Sequence, residues 1–281
     1  MQQISETAHR LRARTFTCMG TVISVTVPTD AHLAPQAAAD ELEAATAVVE
    51  CLFTELDSIF SLYRPDSEAS RLLRGELALP EASAEMRARY EEAAEWRLLT
   101  EGAFTPERPD RALDLSGIVK GHAIREAGMS LLALGMANWC LNAGGDVLVS
   151  GSPNPDTDVP WRAGIVDPAD RRTLLAGFPL GGAALRPPPL GEKTADGGTR
   201  AALATSGSAE RGDHIWSVTA GAAEFRQVSV AAADVVTADV LATAIVAGGI
   251  PMLNRATALW DIEALAVRAN GELLATGGFR R

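Results

Sequence analysis

LDLSGIVKGHAIREAGMSLLALGMANWCLNAGGD, residues 113–146, is the stretch whose reading decides the fold. It opens as a loop carrying an acid, Asp114, a glycine, Gly117, and a lysine, Lys120. Ile124, Ala127, Leu131 and Leu134 then recur at helical spacing, so a helix is expected over 120–134. A strand and a Gly-Gly-Asp turn follow, and that turn leads back into a second strand. With Lys120 at the head of the helix, unpaired amides, a partial positive charge and a full cation would meet at one place, which suits a phosphate. Gly117 would let the backbone pass close to a ligand or turn a carbonyl to a metal. An ordinary loop-to-helix junction with a solvated lysine explains the same residues. The Walker spacing and the dinucleotide glycine fingerprint are both absent, so the residues leave both readings open.

The remainder of the 281-residue chain is long enough to bury a substantial core, as one large domain or two intimate subdomains. Hydrophobic residues make up 47%, a globular composition, and the net charge is −11. That charge argues against a general nucleic-acid binder or an anionic-membrane binder, either of which needs a basic face. An anionic substrate would require local cations or a metal. Cys18, Cys51 and Cys140 are far apart and odd in number, which fits free thiols better than a disulfide framework or a zinc site. The residues ahead of Cys18, MQQISETAHRLRARTFT, are polar and charged and form no lipoprotein signal. No stretch reads as long and apolar enough to span a bilayer, so no membrane anchor and a cytoplasmic location are expected.

Residues 1–13 read as a loose N-terminus and 14–281 as a single domain. Residues 14–27 alternate as a strand, interrupted near its start by Met19-Gly20-Thr21, which suggests a bulge or a close backbone approach. An amphipathic helix is expected over 36–60, with Leu42, Ala45, Val49, Leu52, Leu56 and Ile59 on one stripe. Tyr63 precedes an Arg-Pro-Asp-Ser turn in which Asp66 or Ser67 can cap a short helix. A second helix spans 82–100, and a proline-containing loop, 102–112, leads into the opening stretch. Strands follow at 161–167 and 172–178, then a Gly- and Pro-rich loop at 179–199. A strand near 202–207 breaks into an acid-rich turn and His214, which by itself reads as a structural histidine beside Ile215 and Trp216.

Residues 226–249 read as a strand followed by a helix. On that helix Asp239 and Thr243 are four apart and share a face, among apolar neighbours. An acid there is costly to bury unless paired or metal-bound, and a hard cation such as Mg2+ takes carboxylate, hydroxyl and carbonyl oxygens. Asp239 as the helix cap is the alternative, and the residues do not separate the two. A helix at 252–258, a strand at 262–268, an Asn270-Gly271 turn and a last strand at 272–276 close the chain. Helices and strands in this irregular order predict an α+β fold with mixed or antiparallel sheets and packed helices.

The ordered fragments MGT (19–21), YRPDSEASRL (63–72), GAF (102–104), DLSGIVKG (114–121), NAGGD (142–146), ATSG (204–207), HI (214–215) and ADVLATA (238–244) together resemble the ApbE family of FAD:protein FMN transferases. The resemblance covers roughly residues 14–279. It implies a T-fold-like architecture of two intimate subdomains, with FAD extended in the cleft between them. It implies flavin contacts at Met19, Tyr63, Ala103, Phe104, Thr105, Asp114, Lys120 and Ile215. It also implies a metal, Mg2+ or Mn2+, held by the Gly117 carbonyl, Asp239 and Thr243, and a base at His214, so that His214 and Lys120 are the expected catalytic residues. The chain departs from the family pattern at Thr105, where aspartate is common, and at Ser217 and Val218, where Asp-Pro is common.

The implied activity is Mg2+-dependent transfer of FMN from FAD to a threonine or serine hydroxyl of an acceptor protein, with release of AMP. FAD and the acceptor are the implied partners. Two other readings use the same residues: an FAD pyrophosphatase with water as acceptor, and a non-catalytic FAD-binding protein.

Overall fold

The computed structural model describes residues 11–29, 34–108, 110, 112–157, 159–182, 199–207 and 224–280. The expected strand at 14–27 is instead a hairpin, β1 (Leu11–Cys18) paired antiparallel with β2 (Thr21–Pro28). The strand begins within what reads as the loose terminus. Met19 and Gly20 form the two-residue tip with φ of 50° and 70°, the left-handed pair that a type I′ turn demands. Met-Gly is not a usual pair for that turn, so the β-rich run on both sides reads as continuous.

The helices follow their apolar stripes. α1 (Pro35–Phe60) buries Leu42, Ala45, Val49, Phe53, Leu56 and Phe60, so its core face leans toward the two phenylalanines. Leu52 and Ile59 are only partly buried against it. α2 (Glu68–Leu73) is capped by Ser67, whose hydroxyl accepts the Ser70 amide. α3 (Ala84–Leu99) is capped in the same way by Ser83, which accepts the Met86 amide.

α4 (Ser116–Ala133) begins four residues earlier than its periodicity suggests. β3 (Trp139–Ala143) and β4 (Asp146–Ser150) then pair across Gly144-Gly145, both at positive φ, as the sequence predicts. β5 (Trp161–Val166) and β6 (Leu174–Leu180) form a separate two-stranded antiparallel ribbon. β7 (Ala202–Gly207) and β8 (Phe225–Ala232) follow.

α5 (Val235–Leu259) absorbs the expected separate helix at 252–258. It kinks at Gly249, where φ is 64°, just ahead of Pro251. At the break the Glu224 carboxylate accepts the Ile250 amide at 2.9 Å and restarts the helix. β9 (Glu263–Arg268) and β10 (Leu273–Ala275) close the chain around the Gly271 turn, with Gly271 at φ 87°. The fold is α+β, as expected.

Eight strands make one antiparallel sheet in the order β1-β2-β3-β4-β7-β8-β9-β10. Its central strands are covered on both faces, and their burial is continuous where a one-sided sheet would alternate. Leu148, Ala202, Ala204, Val228 and Val230 face α1, α4 and α5 in the main core. Val147, Val149, Leu203, Ala231 and Leu265 face the β5–β6 ribbon, against Trp161, Ile165 and Phe178. The alternation therefore puts Asp146 and Ser206 on the helix side of the sheet, in phase with Leu148 and Ala204.

α5 overturns one expectation. It is 25 residues long with a mean hydropathy of 1.7 in its most apolar window, long and apolar enough to cross a membrane. However, 78% of that window is buried inside the protein, which makes it the core helix of this fold.

α3 and α4 meet around a charged cluster centred on His122. His122 is wholly buried. Its ring lies 2.7 Å from a Glu92 carboxylate oxygen and within hydrogen-bonding distance of the Arg89 and Arg125 guanidinium groups. Arg125 reaches on to Asp234 at 3.6 Å, and Asp234 caps α5 by accepting the Thr237 amide. Burial alone would raise the Glu92 pKa, but the hydrogen bond from His122 and the surrounding cations outweigh it and hold the carboxyl below its ordinary value.

Candidate active site

The site forms where α4 crosses α5 above the open ends of β4 and β7. Gly121 makes the crossing close. A Cβ added there would stand 3.0 Å from the Val236 Cα and 3.5 Å from the Val235 carbonyl oxygen, so only glycine lets the two backbones meet. One residue before the crossing, Lys120 projects toward the sheet. Its ammonium makes a short ion pair with Asp146 and a longer one, 3.6 Å, with Asp239. Asp146 is 0% exposed and Asp239 1% exposed. Two carboxylates at that depth need compensation, and the shared ammonium supplies part of it.

Asp146 Oδ1 also accepts the Thr205 amide at 3.0 Å. The next residue, Ser206, shares a 3.0 Å hydroxyl–hydroxyl hydrogen bond with Thr243. Asp239 and Thr243 thus stand one turn apart on the face of α5 that looks toward the sheet, as their spacing predicts. Asp239 does not cap α5, because Asp234 does. Of the two readings left open for Asp239, the capping one is excluded.

Two expectations about α4 change. Lys120 lies in the second turn of the helix, so it does not add its charge to the helix N-terminus. Gly117 lies in the first turn, not in a loop ahead of it. Its carbonyl runs along the axis toward the amide four residues on, which leaves one lone pair for another partner. A Cβ on Gly117 would meet the Phe104 ring at 3.1 Å, so this glycine is also where the buried Phe104 packs against the helix.

Ala103 lies against Gly248, where an added Cβ would come within 3.0 Å of the Ala103 Cβ. Thr105 is half-buried, and its hydroxyl accepts the Glu107 amide at 3.2 Å. Asp114 accepts the Ser116 amide at 3.0 Å in the turn just ahead of α4, whose N-cap residue, Leu115, makes no side-chain cap bond. Met19 is half-buried at the β1–β2 tip and packs against the main core. Tyr63 is 86% exposed, the ring of this set most available to a ligand. His214 and Ile215 lie outside the described residues.

The structure therefore brings Lys120, Asp239 and Thr243 together, with Gly117 on the same helix as Lys120. It adds Asp146 and Ser206, which belong to the NAGGD and ATSG fragments but which spacing alone leaves without a role. Cys140 is no candidate nucleophile, since burial of its thiol pushes the pKa up to about 12.

Among the described residues no three His, Cys, Asp or Glu gather as a cage for a metal. A hard cation that keeps several waters and shares phosphate oxygens needs no such cage. Buried carboxylate and hydroxyl oxygens are the donors it prefers, and a cationic group already stands between the two acids. The residues fit a magnesium-like ion and do not fit a thiolate or imidazole metal.

Comparison with known proteins bears on the family and the fold. The family model described as the ApbE family matches residues 19–108 and 106–266. A search of curated proteins returns no match. Among solved structures, the flavin transferase ApbE from Vibrio cholerae is 22% identical, covers 97% of this chain and 99% of its own, and superposes with a TM-score of 0.71. The apo form of the Pseudomonas stutzeri flavinyl transferase ApbE is 21% identical, with 96% of both chains covered and a TM-score of 0.71. The apbe protein from Thermotoga maritima is 18% identical, covers 96% of this chain and 98% of its own, and has a TM-score of 0.69. At these identities the likeness speaks for a shared fold.

Proposed function

The chain belongs to the ApbE family, and on that premise we propose that it transfers FMN from FAD to a threonine or serine hydroxyl of an acceptor protein and releases AMP. The observation that carries this reading is the buried Asp146–Lys120–Asp239 cluster with Thr243 one turn away. Such a cluster, buried where two helices and a strand of the core meet, is costly unless something charged is handled there.

In the proposed reaction the acceptor oxygen forms a bond to the FMN phosphorus. The bond from that phosphorus to the AMP oxygen breaks, and AMP carries away the electron pair. Phosphoryl transfer of this kind depends on positioning and on neutralising charge. Lys120 faces the developing negative charge with an ammonium whose direction is fixed by Asp146. A divalent cation bound by Asp239, Thr243 and the Gly117 carbonyl would polarise the pyrophosphate oxygens and hold the leaving group. His214 takes the proton of the attacking hydroxyl, a role suited to a side chain that titrates near neutrality. Tyr63, Met19, Ala103, Phe104, Thr105, Asp114 and Ile215 hold the flavin end.

The test is to incubate the protein with FAD, Mg2+ and a candidate acceptor domain. A fluorescent flavin band on the acceptor should survive denaturation, with AMP released in equal amount. Asp239→Ala should lose at least a hundredfold in rate and Lys120→Ala somewhat less, in line with the loss of one charge-stabilising group. Free FMN and AMP with no labelled acceptor would identify a hydrolase. Parent-level transfer by Asp239→Ala would sink the assignment of the cation ligands.

A further inference from the structure

Lys120 is shared unequally between its two acids. Its ammonium lies closer to Asp146 Oδ2 than to Asp239 Oδ1, which stands at 3.6 Å. Asp146 is itself rigidly placed. It is fully buried at the first position of β4, and its other oxygen accepts the Thr205 amide at 3.0 Å. That bond extends the β4–β7 pairing past its last ladder pair, Val147 with Leu203. Ser206, the neighbour of Thr205, in turn bonds the Thr243 hydroxyl at 3.0 Å.

We propose that Asp146 is a positioning residue that draws the Lys120 ammonium toward β4, prevents it from closing onto Asp239, and so lets Asp239 take a divalent cation. The proposal rests on the reading of Asp239 as a cation ligand. The physical argument is competition. An ammonium and a divalent ion seek the same carboxylate oxygens, and at this depth the interaction is screened little. An acid that holds the ammonium to one side removes the competitor while keeping its charge within reach of a phosphate. Anchoring through the Thr205 amide makes this hold part of the sheet and independent of any mobile side chain.

The experiment measures Mn2+ binding directly, by electron paramagnetic resonance and calorimetry on the purified full chain, with no turnover involved. Asp146→Asn should weaken Mn2+ binding about tenfold or more, as loss of a partner that orients a ligand does. The double variant Asp146→Asn with Lys120→Met should recover most of that affinity, because the competing ammonium has gone. If Asp146 were a direct ligand, or merely structural, the double variant would stay as weak as the single, and the proposal would fall. Parent-like binding by Asp146→Asn would also overturn it.

Asp239→Asn separates the two levels. Loss of binding there supports the underlying reading, and parent-like binding removes that reading and the proposal together. Should Asp146→Asn show no cooperative melt, the double variant alone decides. It should bind Mn2+ nearly as tightly as the parent, and weak binding refutes the competition.

Discussion

Single residues show where the sequence was sufficient. Asp239 and Thr243 were legible because a helix converts a separation of four into a shared face, whatever surrounds it. Lys120 was legible as a cation close to the start of a helix, but its place in the second turn was not. Neither the leucine spacing nor any capping residue marks a start at Ser116, since the N-cap position is Leu115, whose side chain can accept no hydrogen bond. Asp146 carried no signal of its own. An acid after two glycines reads as a turn residue, and its complete burial comes from α4 and β7, which the local sequence does not contain.

Glu92 is a comparable case, and it allows a prediction. Its folded pKa lies below its ordinary value. Between those two values the unfolded chain binds more protons than the folded one. The stability that Glu92 contributes is therefore present above the ordinary value and is lost as pH falls through the lowered one. Glu92→Gln should lower the melting temperature at neutral pH and flatten its decline on acidification. An acid limb as steep in the variant as in the parent would show that Glu92 is not the group responsible.

Among the elements, the α4–α5 crossing is set by Gly121, whose missing side chain brings Lys120 within reach of both acids. The neighbour an added methyl would meet is backbone, which cannot rotate aside. Gly121→Val should cost about 1–3 kcal/mol, the range for overpacking a tight interior. Because the change spreads the helices at the site, Mn2+ affinity should fall with it. Urea unfolding and the same resonance titration would check both, and a stable variant with parent affinity would show that the crossing tolerates a wider gap. The sequence reading treated this glycine only as part of a helix start, because helix–helix distance is a tertiary quantity. The hairpin at Met19-Gly20 and the continuation of α5 past Gly249 were missed for a related reason. In both, backbone conformation overrides what residue type suggests.

For the whole molecule, the α+β class followed from the irregular order of helices and strands, whereas the two-sided sheet did not. The β5–β6 strands were expected, but nothing in their alternation says that they cover the far face of β4, β7 and β8. Trp161 is the centre of that cover. It is buried, and its indole N–H donates to the Ser150 carbonyl at 3.0 Å. Trp161→Ala should destabilise the protein by about 3–5 kcal/mol, the usual cost of truncating a buried tryptophan. It should leave Mn2+ affinity unchanged at temperatures where the variant is folded, because the charged cluster is on the opposite face. Calorimetric melting together with the titration would test this, and a large fall in affinity would mean that the two faces are mechanically coupled.

The order in which the chain supplies its charged cluster has a consequence for biosynthesis. Lys120 and Asp146 emerge from the ribosome long before Ser206, and Asp239 and Thr243 come later still, on the helix that roofs the central strands. Until that helix arrives, a nascent chain exposes the apolar floor of its sheet and holds a lysine with only one of its acids. A product that stops before residue 235 lacks Asp239 and Thr243, two of the three proposed cation ligands, and the cover over its own core, so premature termination there yields a substrate for quality control and not a weakened enzyme.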